Sequence, residues 1–153
     1  MGNRINYNQV DSTAIKGLLE LEKYVHESTL DQTIFELVKF RASQINGCAY
    51  CLDMHSIDAR ANGETEQRLY LTSCWREAPK LFNDKEKAAL EWTEALTLIS
   101  EVEIEDELYE RVHAQFGDKE MLALTMTIIA INGWNRLAIP FQSEPGHYKA
   151  GKH

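Results

Sequence analysis

Basic residues are in short supply in this 153-residue chain, where 16 lysines and arginines stand against 24 aspartates and glutamates and give a formal charge of −8. No local Lys/Arg cluster offsets that balance, which disfavours a phosphate backbone as partner and argues against nucleic-acid binding. Long apolar runs are missing too. The most apolar stretch, Met121 to Ile131, is about half of what a bilayer core requires. Met1 to Thr13 lacks the apolar segment of a secretory signal, and Asn6 stands where an N-myristoylation pattern needs Ser or Thr. With three cysteines, one pair closely spaced, the chain fits a reducing, cytoplasmic setting rather than a disulfide framework. No stretch alternates apolar and polar residues as a half-buried strand would, and no two segments repeat. A chain of this length buries about 70% of its unfolded surface, which predicts a single all-α domain over 1–153. Nothing in the composition calls for a cofactor or a metal.

What the chain does have is concentrated in Asn46 to His55, NGCAYCLDMH. An Asn-Gly turn signal precedes Cys48, two residues separate it from Cys51, and His55 follows one helical turn on. In a helix that starts here, Cys48, Cys51 and His55 fall within about 60° of one another around the axis. Unpaired backbone N–H groups and the positive end of the macrodipole favour a thiolate at that point. Cys-x-x-Cys pairs at helix starts can hold one thiol well below the free value of about 8.5. A nucleophile, a base and a second thiol make a redox centre. Competing readings use the same residues. Zinc would find three ligands in Cys48, Cys51 and His55, whereas a closed structural site needs four. Leu52 occupies the place where covalent haem attachment needs histidine. Both cysteines could also be small buried hydrophobes.

Helical periodicity accounts for most of the remainder, with about seven helices in all. Asp11 is placed to cap a first helix with Ile15, Leu18, Leu19 and Val25 on one stripe, ending near Glu27-Ser28. Asp31 is placed to cap a second, with Ile34, Phe35, Val38, Ala42 and Ile45 on one stripe and Glu36 off it. By itself Glu36 reads as a solvated carboxylate. The motif helix stops at Asn62-Gly63, and Glu64 to Trp75 reads as one short helix in which Cys74 is a packing residue. Asn83 and Glu86 form a capping-box pattern ahead of the stripe Ala88, Ala89, Trp92, Ala95, Leu96 and Ile99. The opposite face, with Lys85, Lys87, Glu91 and Glu94, reads as solvated. The acidic run Glu101 to Glu107 reads as a linker and helix start, followed by Ile104, Leu108, Val112 and Phe116. Gly117 and Asp118 end that helix and cap the next, with His113 at the surface or in an interface. Met121 to Ile131 is apolar nearly all round, as in a helix buried in the domain or between subunits. Trp134, Asn135 and Arg136 fall at its end or just past it, in packing and capping roles. Pro140 to His153, with His147, Tyr148 and His153, reads as a loosely ordered tail.

The run Arg41, Ser43, Asn46, Gly47, Cys48, Tyr50, Cys51, His55, Asp58, Ala59 and Arg60 resembles the core motif of AhpD-like alkylhydroperoxidases in the carboxymuconolactone decarboxylase superfamily. That pattern also carries a glutamate twelve residues before the first cysteine, where Glu36 stands. Asn132 to Arg136 is similar to a C-terminal signature of the shorter, peroxidase-related members. The resemblance implies that Cys51 attacks a peroxide and becomes a sulfenic acid, and that Cys48 resolves it as a disulfide. It also implies that Glu36 and His55 move protons, and that an external thiol or lipoyl-type reductant restores the dithiol. Trimers, and hexamers built from them, are implied as well. Tyr50 departs from the founding members, which have histidine there. Spacing alone leaves Glu36 roughly 13 Å up its helix from the turn, so only the resemblance brings it to the thiols. The resulting expectation is a thiol peroxidase acting on hydrogen peroxide or organic hydroperoxides. Its alternatives are a lyase or decarboxylase on a small carboxylated substrate, and a non-enzymatic dithiol redox sensor.

Overall fold

Most helix ends in this chain are set by small polar caps and by glycines with positive φ. The computed structural model describes residues 4–151, and among them are seven α-helices, one 3-10 segment and no strand. Met1, Gly2 and His153 lie outside the described residues. Asn6 caps α1 (Tyr7–Val10) by accepting from the Asn8 N–H at 3.0 Å. Asp11, expected to cap the first long helix, accepts instead from the backbone N–H and the hydroxyl of Thr13 at 2.9 and 2.6 Å. That local turn outcompetes helix capping, so α2 (Lys16–Glu27) begins later, with Ile15 at its cap and no side-chain bond there. Asp31 does cap α3 (Gln32–Asn46), accepting from the N–H groups of Thr33 and Ile34.

Gly47 ends α3 in the left-handed region at φ 70°. The Cys48 N–H donates to the Ser43 carbonyl at 3.0 Å and the Gly47 N–H to the Gln44 carbonyl at 3.3 Å, the paired bonds of a Schellman closure. α4 (Ala49–Ala61) starts at once, with Cys48 as its N-cap. Two long helices are thereby folded back on each other with almost no loop between them.

Beyond the motif helix, α5 (Glu66–Leu71) runs into a 3-10 segment at Thr72–Glu77, so the single helix expected over 64–75 is two pieces. Cys74 departs from helical geometry at φ −127°, and it is exposed rather than packed; Trp75 turns inward in its place. α6 (Asp84–Thr97) opens on the predicted capping box of Asn83 and Glu86, and Ile99, past its end, is exposed. α7 (Asp106–Ala138) breaks at Gly117, where φ is 65° and ψ −178°. Trp134, Asn135 and Arg136 lie inside its final turns, not at or past its end.

α3 sits centrally and packs on α4, α6 and α7. The main core joins Ile34, Phe35 and Val38 of α3 to Ala89, Trp92 and Ala95 of α6 and to Val112, Phe116, Leu124 and Ile128 of α7. α2 crosses α7 at Gly133, where a Cβ would lie 2.8 Å from a methyl of Leu18. Glu94, expected on a solvated face, is half-buried and accepts from Arg41 Nε and Trp75 Nε1, each at 2.9 Å, fastening α6 to α3 and to the 3-10 segment. Within the apolar stretch of α7, Leu122 and Ile129 are exposed while Leu124, Ile128 and Ile131 are fully buried. One flank of that helix is therefore open in the single chain. Among the described residues no helix is long and apolar enough to cross a membrane.

Gly47 has nothing within 4 Å of where a Cβ would stand, so its role is purely its positive φ. Gly47→Ala is expected to lower unfolding stability by about 1–2 kcal/mol in urea denaturation; an unchanged midpoint would contradict the turn's role.

Candidate active site

The turn at Gly47 decides where the two sulfurs sit. As N-cap of α4, Cys48 accepts the Cys51 backbone N–H at a sulfur distance of 3.4 Å. Both thiols are about 1% exposed and pack with Ala42, Ile131 and Ala138. Cys48 is drawn down to about 7, chiefly because the Cys51 S–H donates to its sulfur; the Cys51 N–H and the Asn135 side chain add to this against the opposing effect of burial. Cys51 is pushed up in return, because the proton it gives to Cys48 is the one it must lose, and because it is buried. Of the two sulfurs, Cys48 at the helix N-terminus is therefore the one that ionises more readily. This differs from a site in which Cys51 is the lowered thiol: in a helix start the cap position, not the residue one turn on, meets the unpaired N–H groups.

Asn135 completes the thiol pocket. It is fully buried, and its side chain reaches both sulfurs. Its Nδ2 donates to Ser43 Oγ at 3.1 Å, and its Oδ1 accepts from Asn46 Nδ2 at 2.9 Å. Asn46 also donates to Asn132 Oδ1 at 3.0 Å. The C-terminal signature is thus the second wall of the site, holding the α3–α4 turn against α7. A packing role for Asn135 misses this, because nothing local in the sequence pairs position 135 with positions 46 and 48.

Glu36 and His55 form a second pair. His55 Nδ1 lies 3.1 Å from Glu36 Oε2, and both residues are 4% exposed. The antiparallel hairpin that leaves Glu36 far up α3 from the turn also carries His55 up α4, and the two meet across it. A carboxylate only accepts, so Nδ1 donates to Glu36 and the contact fixes the orientation of the ring. Gln32 Nε2 donates to the other Glu36 oxygen at 3.1 Å. Glu36 also lines a cleft of about 310 Å³ with Thr33, Asn62, Thr65 and Arg68, so the pair reaches from the interior toward solvent. Glu36 is thus a buried partner of His55 rather than a solvated carboxylate.

Two further charged groups join the site: Lys39, which the sequence did not single out, and Asp58, which stood in the motif run without a role. Lys39 is 2% exposed, ion-paired with Glu22 of α2 and 4.3 Å from the Phe35 ring centre. Burial pulls its ammonium down while Glu22, Glu36 and Asp58 hold it up, and its charge favours the Cys51 thiolate. Asp58, on the face of α4 shared with His55, is buried. Its carboxylate, a Glu36 oxygen and a His55 nitrogen all fall within 4.8 Å of one another. A nitrogen and two carboxylates have the composition of a metal triad, but each already makes a proton-sharing contact. Glu36 holds Nδ1, and both Asp58 oxygens lie 2.9 Å from the Tyr148 hydroxyl. Tyr148 therefore belongs to an ordered, docked tail and not to a loose one.

A helical frame that presents a Cys-x-x-Cys dithiol at a helix start, a histidine one turn on and a glutamate across the hairpin is that of an AhpD-like protein. The Carboxymuconolactone decarboxylase family model matches residues 13–95. The uncharacterized protein YdfG of Bacillus subtilis (strain 168) is 42% identical over 139 residues, covering 91% of this chain and 94% of its own. A crystal structure of ATU0492, a protein of unknown function from Agrobacterium tumefaciens, superposes with a TM-score of 0.90 at 41% identity, over 96% of this chain and 100% of that one. A peroxidase-related protein from Silicibacter sp. TM1040 shares the fold at 22% identity, with a TM-score of 0.78 over 92% and 74% of the two chains. The chain belongs to the carboxymuconolactone decarboxylase family.

Titrated by thiolate absorbance, the reduced protein is expected to lose its first thiol proton with a midpoint near 7. Removing a donor in Cys51→Ala or Asn135→Ala should move that midpoint up toward the ordinary value of about 8.5. A wild-type midpoint already at 8.5 would contradict the shared-proton geometry.

Proposed function

We propose that this protein is a thiol peroxidase that reduces hydrogen peroxide or small organic hydroperoxides through Cys51 and Cys48. The observation that carries the reading is a buried Cys48–Cys51 dithiol at the start of α4, with His55 one turn further along that helix and paired with the buried Glu36 of α3. With Cys48 ionised, His55 accepts the Cys51 proton and so exposes a Cys51 thiolate. The Cys51 sulfur attacks one peroxide oxygen, the O–O bond breaks, and the departing alkoxide or hydroxide takes a proton from His55. Cys51 is then a sulfenic acid. Cys48, the thiol most easily kept ionised, attacks the Cys51 sulfur, the S–O bond breaks, and hydroxide leaves as water with a proton from solvent. The dithiol has lost one proton and two electrons, the second proton has come from solvent, and the peroxide has become alcohol, or water, plus water. A thiol or lipoyl-type dithiol supplies two electrons to restore the pair.

Sulfurs this deeply buried suit a small oxidant better than a bulky carboxylated ring, which favours the peroxide reading over a lyase one. The description of the Agrobacterium protein as a candidate antioxidant defence protein AhpD agrees in kind. We further read residues 1–153 as one domain, working in the cytoplasm as a homo-oligomer, with the exposed Leu122 and Ile129 flank of α7 as the face that a second copy would cover.

Cys51→Ser is expected to cut peroxide turnover by roughly 10³-fold or more, as removal of a nucleophile does. Cys48→Ser should allow one oxidation and then stall as a sulfenic acid that dimedone traps on Cys51. Full turnover by Cys51→Ser, measured with dithiothreitol or dihydrolipoamide as reductant, would overturn the assignment of roles.

A further inference from the structure

We propose that the C-terminal tail is a working part of this site, with Tyr148 the positioning residue that ties Asp58 into the Glu36–His55 couple. The inference rests on the peroxidase reading for what the couple does, but on its own geometry for which residues form it.

The tail after α7 has no regular structure, yet it is fixed to the motif helix at two points. The Gly146 N–H donates to Asp53 Oδ2 at 2.8 Å, and the Tyr148 hydroxyl lies 2.9 Å from both oxygens of Asp58. Asp53 and Asp58 are both on α4, so the tail runs along the helix that carries the dithiol. The phenol has one proton to give and shares it between the two oxygens, which fixes the carboxylate plane. Asp58 is three residues past His55 and so on its face of the helix, while Glu36 meets the same ring from α3. Two buried carboxylates then lie within 4.8 Å of one imidazole, the arrangement that stabilises the imidazolium formed when His55 accepts a proton.

Tyr148 is suited to remain a donor. Burial first, and then the Asp58 hydrogen bond, hold its phenol well above its ordinary value, and Asp58, Glu36 and Tyr50 are the titratable groups that face it. Behind them stand Lys39 and Glu22, and Asp53 lies further along α4 at the other clasp. With Tyr148 removed, Asp58 loses a group that orients it, so the effect on chemistry passes through His55 and not through substrate contact.

The test compares wild type, Tyr148→Phe, Asp58→Asn and the double variant in full-length protein, with two readouts. One is the second-order rate of Cys51 alkylation by iodoacetamide as a function of pH, with Cys51 modification followed by mass mapping. The other is peroxide turnover over the same pH range. Tyr148→Phe is expected to slow both by about tenfold near neutral pH, a fraction of the 10²–10⁴ attributed to a proton-transfer group itself, and to displace the pH profile. The double variant should lose no more than Asp58→Asn alone, since both act through one carboxylate. A Tyr148→Phe protein with the wild-type pH profile and rates, or with only a lowered melting temperature, overturns the proposal. Were wild type to turn over no peroxide while Tyr148→Phe still displaced the alkylation profile, the peroxidase reading would fall and the role of Tyr148 would stand. Normal turnover with an unmoved profile would do the reverse.

Discussion

The closure of α3 onto α4 at Gly47 is the constraint on which the rest of the site depends. A left-handed residue at that point lets the chain reverse with no loop, so Cys48 both completes the end of one helix and caps the start of the next. Its N–H satisfies an orphan carbonyl of α3, and its sulfur receives an orphan N–H of α4. Because the hairpin is this tight, the two helices remain in register beyond the turn, and Glu36 meets His55. Everything catalytic in the proposal is a consequence of that register: a thiol pair at the turn and a proton couple above it.

Burying so many ionisable groups is unfavourable unless they compensate one another. Glu22, Lys39, Glu36, His55 and Asp58 do so as a connected set drawn from three helices, with Tyr148 as a neutral donor from the tail. Glu22 is itself held by Trp134 Nε1 at 3.0 Å and by His26 Nε2 at 3.2 Å, so α2 and α7 help to place the buried Lys39 ammonium. Asn135 plays the corresponding part at the sulfurs. The dithiol half of the site and the carboxylate half are joined through α3 and α4, and the charge of Lys39 acts on both.

The parts of this arrangement that are local in sequence were legible there. Cys48, Cys51 and His55 share a face because helical spacing requires it. The caps at Asp31 and at Asn83 with Glu86, and the break at Gly117, follow from side-chain chemistry within a few residues. The all-α class follows from periodicity. What was hidden is non-local. Glu36 is one of many glutamates until its partner across the hairpin is known, and Lys39 looks like a solvated residue until Glu22 is placed beside it. Asn135 is separated from Asn46 and Cys48 by most of the chain, and the docking of Tyr148 on Asp58 reverses the expectation of a loose tail. Asp11 failed as a helix cap for the opposite reason: a nearer partner, Thr13, captured it. Which thiol ionises more readily also required the structure, since it turns on Cys48 being the cap and Cys51 its donor.

The most direct test of the central claim is a free-thiol count on the reduced wild-type protein before and after one equivalent of hydrogen peroxide, with peptide mapping of the product. Loss of two thiols, recovered as a Cys48–Cys51 disulfide while exposed Cys74 stays free, is the result the account predicts. Retention of both buried thiols, or oxidation confined to Cys74, would contradict it.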